Sequence, residues 1–122
     1  VMNRDTTTPT RNEGALEYCR LHDITIQAWG PLAAGALGKM AAAPNPRLEG
    51  AAAAVREIAA EKGVSPEAIQ IAWLLRHPAR IQPIIGTMNP ERIAAACQAD
   101  GVSLTGDEWY RLYVAGRGER LP

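Results

Sequence analysis

The sequence predicts an α/β domain, rich in helices, with its strands parallel. Two apolar, β-branched runs, Ile24 to Trp29 and Ile81 to Gly86, each end at a glycine. Helical patterns stand between and after them, so each strand returns through a helix, which is the sign of a parallel sheet. Neither run alternates polar with apolar, which predicts helices on one face and a packed interior on the other.

The elements follow in order. Residues 1–11 are polar, Thr-rich and carry Pro9, and are read as an extended or frayed lead-in. Asn12 is a candidate N-cap for a helix to about His22, with Leu16 and Cys19 on its inner face. The strand Ile24 to Trp29 passes into Gly30-Pro31 and a run of small residues to Gly38. Residues 39–50, rich in Pro and Ala, read as a long connection. Ala51 to Lys62 is a helix with Val55, Ile58 and Ala59 on one stripe and Gly63 as its stop. Ser65-Pro66-Glu67 supplies an N-cap, a first-turn proline and an acidic start for a helix that carries Ile69, Ala72, Trp73 and Arg76 and ends before His77-Pro78. The second strand comes next. Asn89-Pro90-Glu91-Arg92 opens a helix to about Gly101, and Thr105 to Glu108 is a capping box for a last helix with Trp109, Leu112 and Tyr113 inward.

Two strands do not make a stable parallel sheet by themselves, so the sheet needs partners. Their exposed edges predict either a homo-oligomer or a complementary segment.

Composition narrows the functional classes. Thirteen basic residues balance thirteen acidic ones, which gives no footprint for nucleic acid or an anionic membrane. No run approaches the about 18 apolar residues of a membrane span, and no basic-then-apolar leader opens the chain, so a cytoplasmic location is expected. Two distant cysteines, Cys19 and Cys97, and two histidines predict no metal site; the thiols are read as reduced and partly buried. His22 and His77 fall at helix ends, where a cation complements the dipole.

Chemistry in parallel α/β folds gathers at the carboxyl ends of strands. The first candidate is Trp29, Gly30, Pro31, Leu32, Gly35 and Leu37: a bare backbone suits a phosphate, and an indole at the strand end can face a ring. A Gly/Ala-rich turn with Trp29 in the core is the alternative. The second is Gly86, Thr87, Met88, Asn89 and Arg92. A helix start with a hydroxyl and a guanidinium attracts an anion. The alternative is a plain Asn89 cap with Arg92 a solvated charge.

The stretches GALEYCRLHDITIQAWGPLAAGAL and IQIAWLLRHPARIQPIIGTMNPERI resemble the C-terminal part of aldo-keto reductases, over roughly residues 13–115. The resemblance implies a partial (β/α)8 TIM barrel: the last two βα units plus C-terminal helices over residues 12–116, with a tail at 117–122. It implies NADP(H) as cofactor and carbonyl reduction as the family's reaction. The position of Trp29 would stack on the nicotinamide, Gly30 to Leu37 would wrap the pyrophosphate, and Gly86 to Arg92 would hold the adenosine 2′-phosphate. Where the family usually has Ser-Pro-Leu, this chain has Gly30-Pro31-Leu32, one phosphate donor fewer. Ala95 and Ala96 stand where many members place acidic and amide groups near the adenine. The family's catalytic Asp, Tyr, Lys and His belong to the N-terminal part of the barrel, and none of Asp5, Tyr18, His22 or Lys39 matches their motifs. No catalytic residue is therefore assigned. A chain inactive alone, with weak NADP(H) affinity, is expected. A non-catalytic self-association module and one half of a split NADPH-dependent carbonyl reductase are the alternatives.

Overall fold

Local sequence signals set most of the helices of the computed structural model, which describes residues 14–32 and 48–117. The order is α1 (Ala15–Leu21), β1 (Gln27–Trp29), α2 (Glu49–Lys62), α3 (Pro66–Leu75), β2 (Gln82–Ile84), α4 (Pro90–Cys97), a 3-10 turn (Gln98–Gly101) and α5 (Gly106–Arg117).

The caps are those expected. The Ser65 hydroxyl accepts from the Ala68 N–H at 3.2 Å and donates to the Ala95 carbonyl at 2.9 Å, so one side chain starts α3 and ties it to α4. Thr105 and Glu108 close a reciprocal box: Thr105 N–H donates to the carboxylate at 2.7 Å and Glu108 N–H to the Thr105 hydroxyl at 3.2 Å. Gly63 follows α2 at φ +66, and the N–H of Val64 reaches back to Ala59 O at 3.0 Å. Asp23 plays the same part after α1, at φ +53, with the N–H of Ile24 donating to Cys19 O at 2.8 Å.

The core lies between the helices rather than at the sheet. Ile58 and Ile69 are fully buried, and around them gather Val55, Ile71, Leu104, Leu112 and a set of alanines. Alanine-rich faces let α2 approach α3 and α5 closely, in keeping with a chain that has no Phe. Trp73 and Trp109 fasten α3 to α5. Each indole N–H donates to the other's backbone carbonyl, at 3.1 and 3.0 Å, and the rings stack 5.0 Å apart. Tyr113 stacks on the far side of Trp109 at 5.5 Å. Outside the apolar layer, Lys62 pairs with Glu108 at 2.9 Å, and Arg111 of α5 binds Glu57 of α2.

β1 and β2 pair in parallel, Gln27 with Gln82, Ala28 with Pro83 and Trp29 with Ile84. Gln82 N–H donates to Ile26 O at 2.8 Å. In a parallel ladder alternate residues bond to the same neighbour, so the missing N–H of Pro83 falls on the outer edge of β2, where it interrupts nothing in this pair.

Several expectations need correction. The strands span three residues each, shorter than 24–29 and 81–86. Their second face is not covered by a packed interior: Gln27, Trp29, Gln82 and Ile84 all lie exposed. Helix α1 buries no residue fully; Leu16 and Cys19 share a face and lie half-buried. Its N-cap is Gly14, without a side-chain bond, while Asn12 falls outside the described residues. Helix α2 starts at Glu49, and α4 gives way to the 3-10 turn at Gln98. Cys97 is exposed rather than partly buried. Of the last helix's three inward candidates only Leu112 is buried, Trp109 and Tyr113 being half-buried. The readings for residues 1–11, 33–47 and 118–122 lie outside the described residues.

Candidate functional site

Register decides what meets at the carboxyl end of the strand pair. Trp29 stands level with Ile84, so the loops beginning at Gly30 and at Ile85 leave the same edge side by side. Paired strands run about 4.8 Å apart.

The first loop is held from below. Gly30 turns the chain at φ +61, in the left-handed region that glycine enters without penalty, and a Cβ there would meet nothing within 4 Å. Pro31 is buried, and Leu32 packs against the helical core. Trp29, directly before the turn, is 89% exposed and offers its ring face to solvent. Gly35 and Leu37 lie outside the described residues.

The second loop is built by its own side chains. Ile85 packs against the core, and beyond it the Thr87 hydroxyl accepts from Asn89 N–H at 3.2 Å. That bond leaves the hydroxyl hydrogen directed elsewhere. The Asn89 carboxamide oxygen accepts from Glu91 N–H at 2.8 Å and Arg92 N–H at 3.2 Å. The helix start is thus already capped, its Glu91 and Arg92 N–H groups taken by the Asn89 side chain. A Cβ on Gly86 would meet nothing within 4 Å and its φ is ordinary, so this glycine keeps space open without being required by the fold. Met88 is 94% exposed.

The structure therefore brings Trp29, Gly30, Pro31, Leu32, Gly86, Thr87, Met88, Asn89 and Arg92 to one end of the sheet. It adds Gln27, Gln82 and Ile84, which sequence reasoning passed over. Gln27 and Gln82 share the open face with Trp29 and Ile84, and the Gln27 Nε2 donates to the Gln82 Oε1 at 3.0 Å. The readable signal was one amide in each otherwise apolar strand, each after an isoleucine.

Other features lie elsewhere. A small depression of about 90 Å³, lined by Cys19, Arg20, Asp23, Thr25 and Arg80 among others, sits at the amino ends of the strands, the opposite pole. Asp23 and Arg80, both in left-handed conformation, pair across it. His77 lies just past α3, where burial and the charge of Arg20 lower its pKa, against a weaker pull from Glu17. Its Nδ1 accepts from Ala79 N–H at 3.1 Å, a bond only the neutral ring can make. Both effects favour the neutral ring over a cation on the helix dipole, against the sequence expectation. Among the described residues no cluster of His, Cys, Asp or Glu could hold a metal ion, and no helix is long and apolar enough to cross a membrane.

The sequence model of the Aldo/keto reductase family matches residues 2–114. A 6-dehydroglucose reductase of Agrobacterium fabrum is 39% identical over 114 residues, covering 93% of this chain and 36% of that protein. A second 6-dehydroglucose reductase, from Novosphingobium aromaticivorans, is 38% identical and covers 89% of this chain and 35% of its own length. Among solved structures, a thermostable aldo-keto reductase in complex with the inhibitor epalrestat superposes with a TM-score of 0.71 at 23% identity, over 94% of this chain and 36% of that one. This likeness shows the fold, part of a (β/α)8 barrel. The chain spans about a third of the length of the curated relatives it matches. On the match over residues 2–114, this chain belongs to the aldo/keto reductase family.

Proposed function

We propose that this chain is the cofactor-phosphate-holding sector of an NADP(H)-dependent oxidoreductase of this family, and that the 122-residue polypeptide does not reduce carbonyls by itself. The observation that carries the reading is the shared carboxyl edge. An exposed indole and a glycine turn stand at one strand end, and the loop from the adjacent strand end carries Thr87 and leads into Arg92 in the first turn of α4. The residues fit the group in kind. Gly30 and the buried Pro31 bring backbone to the edge with little bulk, as a pyrophosphate requires. Gly86 leaves room for a sugar-phosphate to approach, and Thr87 with Arg92 supplies a hydroxyl donor and a bidentate cation for a 2′-phosphate. The Trp29 face suits a flat ring. The dinucleotide, when bound, is the hydride source for a carbonyl carbon. In this chain no residue is assigned to protonate the resulting alkoxide. An open edge with one wall encloses little of a dinucleotide, so affinity is weak.

Calorimetric titration of the chain with NADPH and with NADH tests this. Saturable NADPH binding in the high micromolar to millimolar range is expected, with NADH weaker and Arg92→Ala erasing the difference. Equal affinity for both dinucleotides, or binding untouched by Arg92→Ala, contradicts the 2′-phosphate assignment.

A second reading rests on the open sheet face. Trp29 and Ile84 are 89% and 41% exposed on a two-stranded parallel sheet, an arrangement that calls for cover. A second copy, or the other part of a split reductase, would supply it. Sedimentation velocity across a concentration series decides the self-association form: a strict monomer rules it out.

A further inference from the structure

Two three-residue strands carry the two halves of the candidate site. Register between strands is specified strongly where one face is buried and weakly where neither face is. Here one face of the pair is open, the other, at Ala28 and Pro83, is only half-buried, and the sheet is only three residue pairs long. A two-residue slip would keep every side chain on its face yet displace the Gly30 turn from the Gly86 loop by about 7 Å along the strands. Among the described residues, the side-chain bond on the open face that opposes such a slip joins Gln27 to Gln82, the pair one pleat before Trp29 and Ile84. Shifted by two residues, Gln27 would stand opposite Ile84 or Arg80, and the bond would be lost.

We infer that the Gln27–Gln82 amide pair is a register lock: it keeps the turn at Gly30 and the loop at Gly86 level, and so sets the spacing between the two places where one dinucleotide is held. These are positioning residues and do not touch the ligand. The inference rests on the cofactor reading above. It has a consequence that a merely stabilising bond would not have. A ligand that spans both loops depends on their spacing, whereas a fragment that engages one loop does not.

The test compares NADPH with adenosine 2′-monophosphate, which reaches only the Thr87/Arg92 loop, by chemical-shift titration of the full chain. Gln27→Leu removes the bond. Gln27→Glu keeps it, because the new carboxylate can accept from the Gln82 amide. Loss of one such hydrogen bond corresponds to about a fivefold change in an equilibrium constant. The expected result is NADPH affinity about fivefold lower in Gln27→Leu, near the parent value in Gln27→Glu, and adenosine 2′-monophosphate affinity unchanged in both. Two results overturn the lock: equal weakening of both ligands in Gln27→Leu, or no change in either. Failure of the parent chain to bind either ligand overturns instead the cofactor reading on which the lock stands.

Discussion

Trp109 and Trp29 show what separates the two regions of this molecule. Trp109 lies between α3 and α5, stacked on Trp73 and Tyr113, with its N–H bonded to a backbone carbonyl. Trp29 stands at a strand end with 89% of its surface in water. In the helical layer apolar stripes meet, Ser65, Asn89 and Thr105 cap their helices, and charges pair across α2 and α5. The sheet edge is complete on one face only. A large indole left in water at a strand end, beside a glycine turn, contributes little to stability and is better explained as a surface for something else to cover.

The same substitution therefore has opposite consequences in the two regions. Trp109→Ala should cost about 3 kcal/mol, since it removes a stacked ring, a hydrogen bond and the joint between two helices. Denaturant melts followed by circular dichroism would show it; a loss under about 1 kcal/mol would mean that α5 is held by other contacts.

A step down in size, Thr105→Ala opens the capping box of α5 and should cost about 1 kcal/mol at neutral pH. The acid limb belongs to Glu108, whose pKa is lowered by the Thr105 backbone N–H and then by Lys62. A carboxylate with a folded pKa below its unfolded value stabilises above about 4.5 and loses that contribution as pH falls further. Glu108→Gln should flatten the fall in melting temperature between pH 5 and pH 3.

His77 acts higher on the pH scale. Its folded pKa lies below 6.5, so the unfolded chain takes the proton first, and stability is lost as pH falls from about 6.5 through the folded value. His77→Phe should be less stable than the parent at pH 8, having lost the acceptor for Ala79 N–H, yet change less between pH 8 and pH 5.5. An identical slope in both proteins would dismiss this role.

Smallest of all, Trp29→Ala should move stability by no more than about 0.5 kcal/mol, the range of a surface change. If it instead destabilises as Trp109→Ala does, Trp29 is covered in solution, and self-association becomes the better account of the open face.

How far the sequence could be read follows the same division. Caps are local, so Ser65, Asn89 and the Thr105–Glu108 box were legible from neighbours within three residues, and their helices with them. The stripe of Val55, Ile58 and Ala59 was legible because helix period and burial coincide. In helix α1 the shared face of Leu16 and Cys19 was legible, and both lie half-buried, but how deep a face sinks depends on a partner surface that no local pattern reports. The apolar strands state a preference for cover on both faces, and the want of sheet partners marks their inner face as the uncovered one, where Gln27, Trp29, Gln82 and Ile84 lie exposed. In the candidate site, Thr87, Asn89 and Arg92 were visible from composition at a helix start. That Asn89 would take up the first-turn N–H groups depends on its side-chain rotamer, which sequence does not carry. Gln27 and Gln82 were missed because their pairing is a property of register, 55 residues apart in the chain.

The most direct measurement is a map of amide chemical shifts in the isotope-labelled chain as NADPH is added. Shifts are expected in residues 29–37 and 84–93, the loops that leave the carboxyl edge of the two strands, with α2 and α5 still. Shifts centred on the depression at Cys19 and Arg80, or spread over the α2–α5 face, or none at millimolar NADPH, would contradict it.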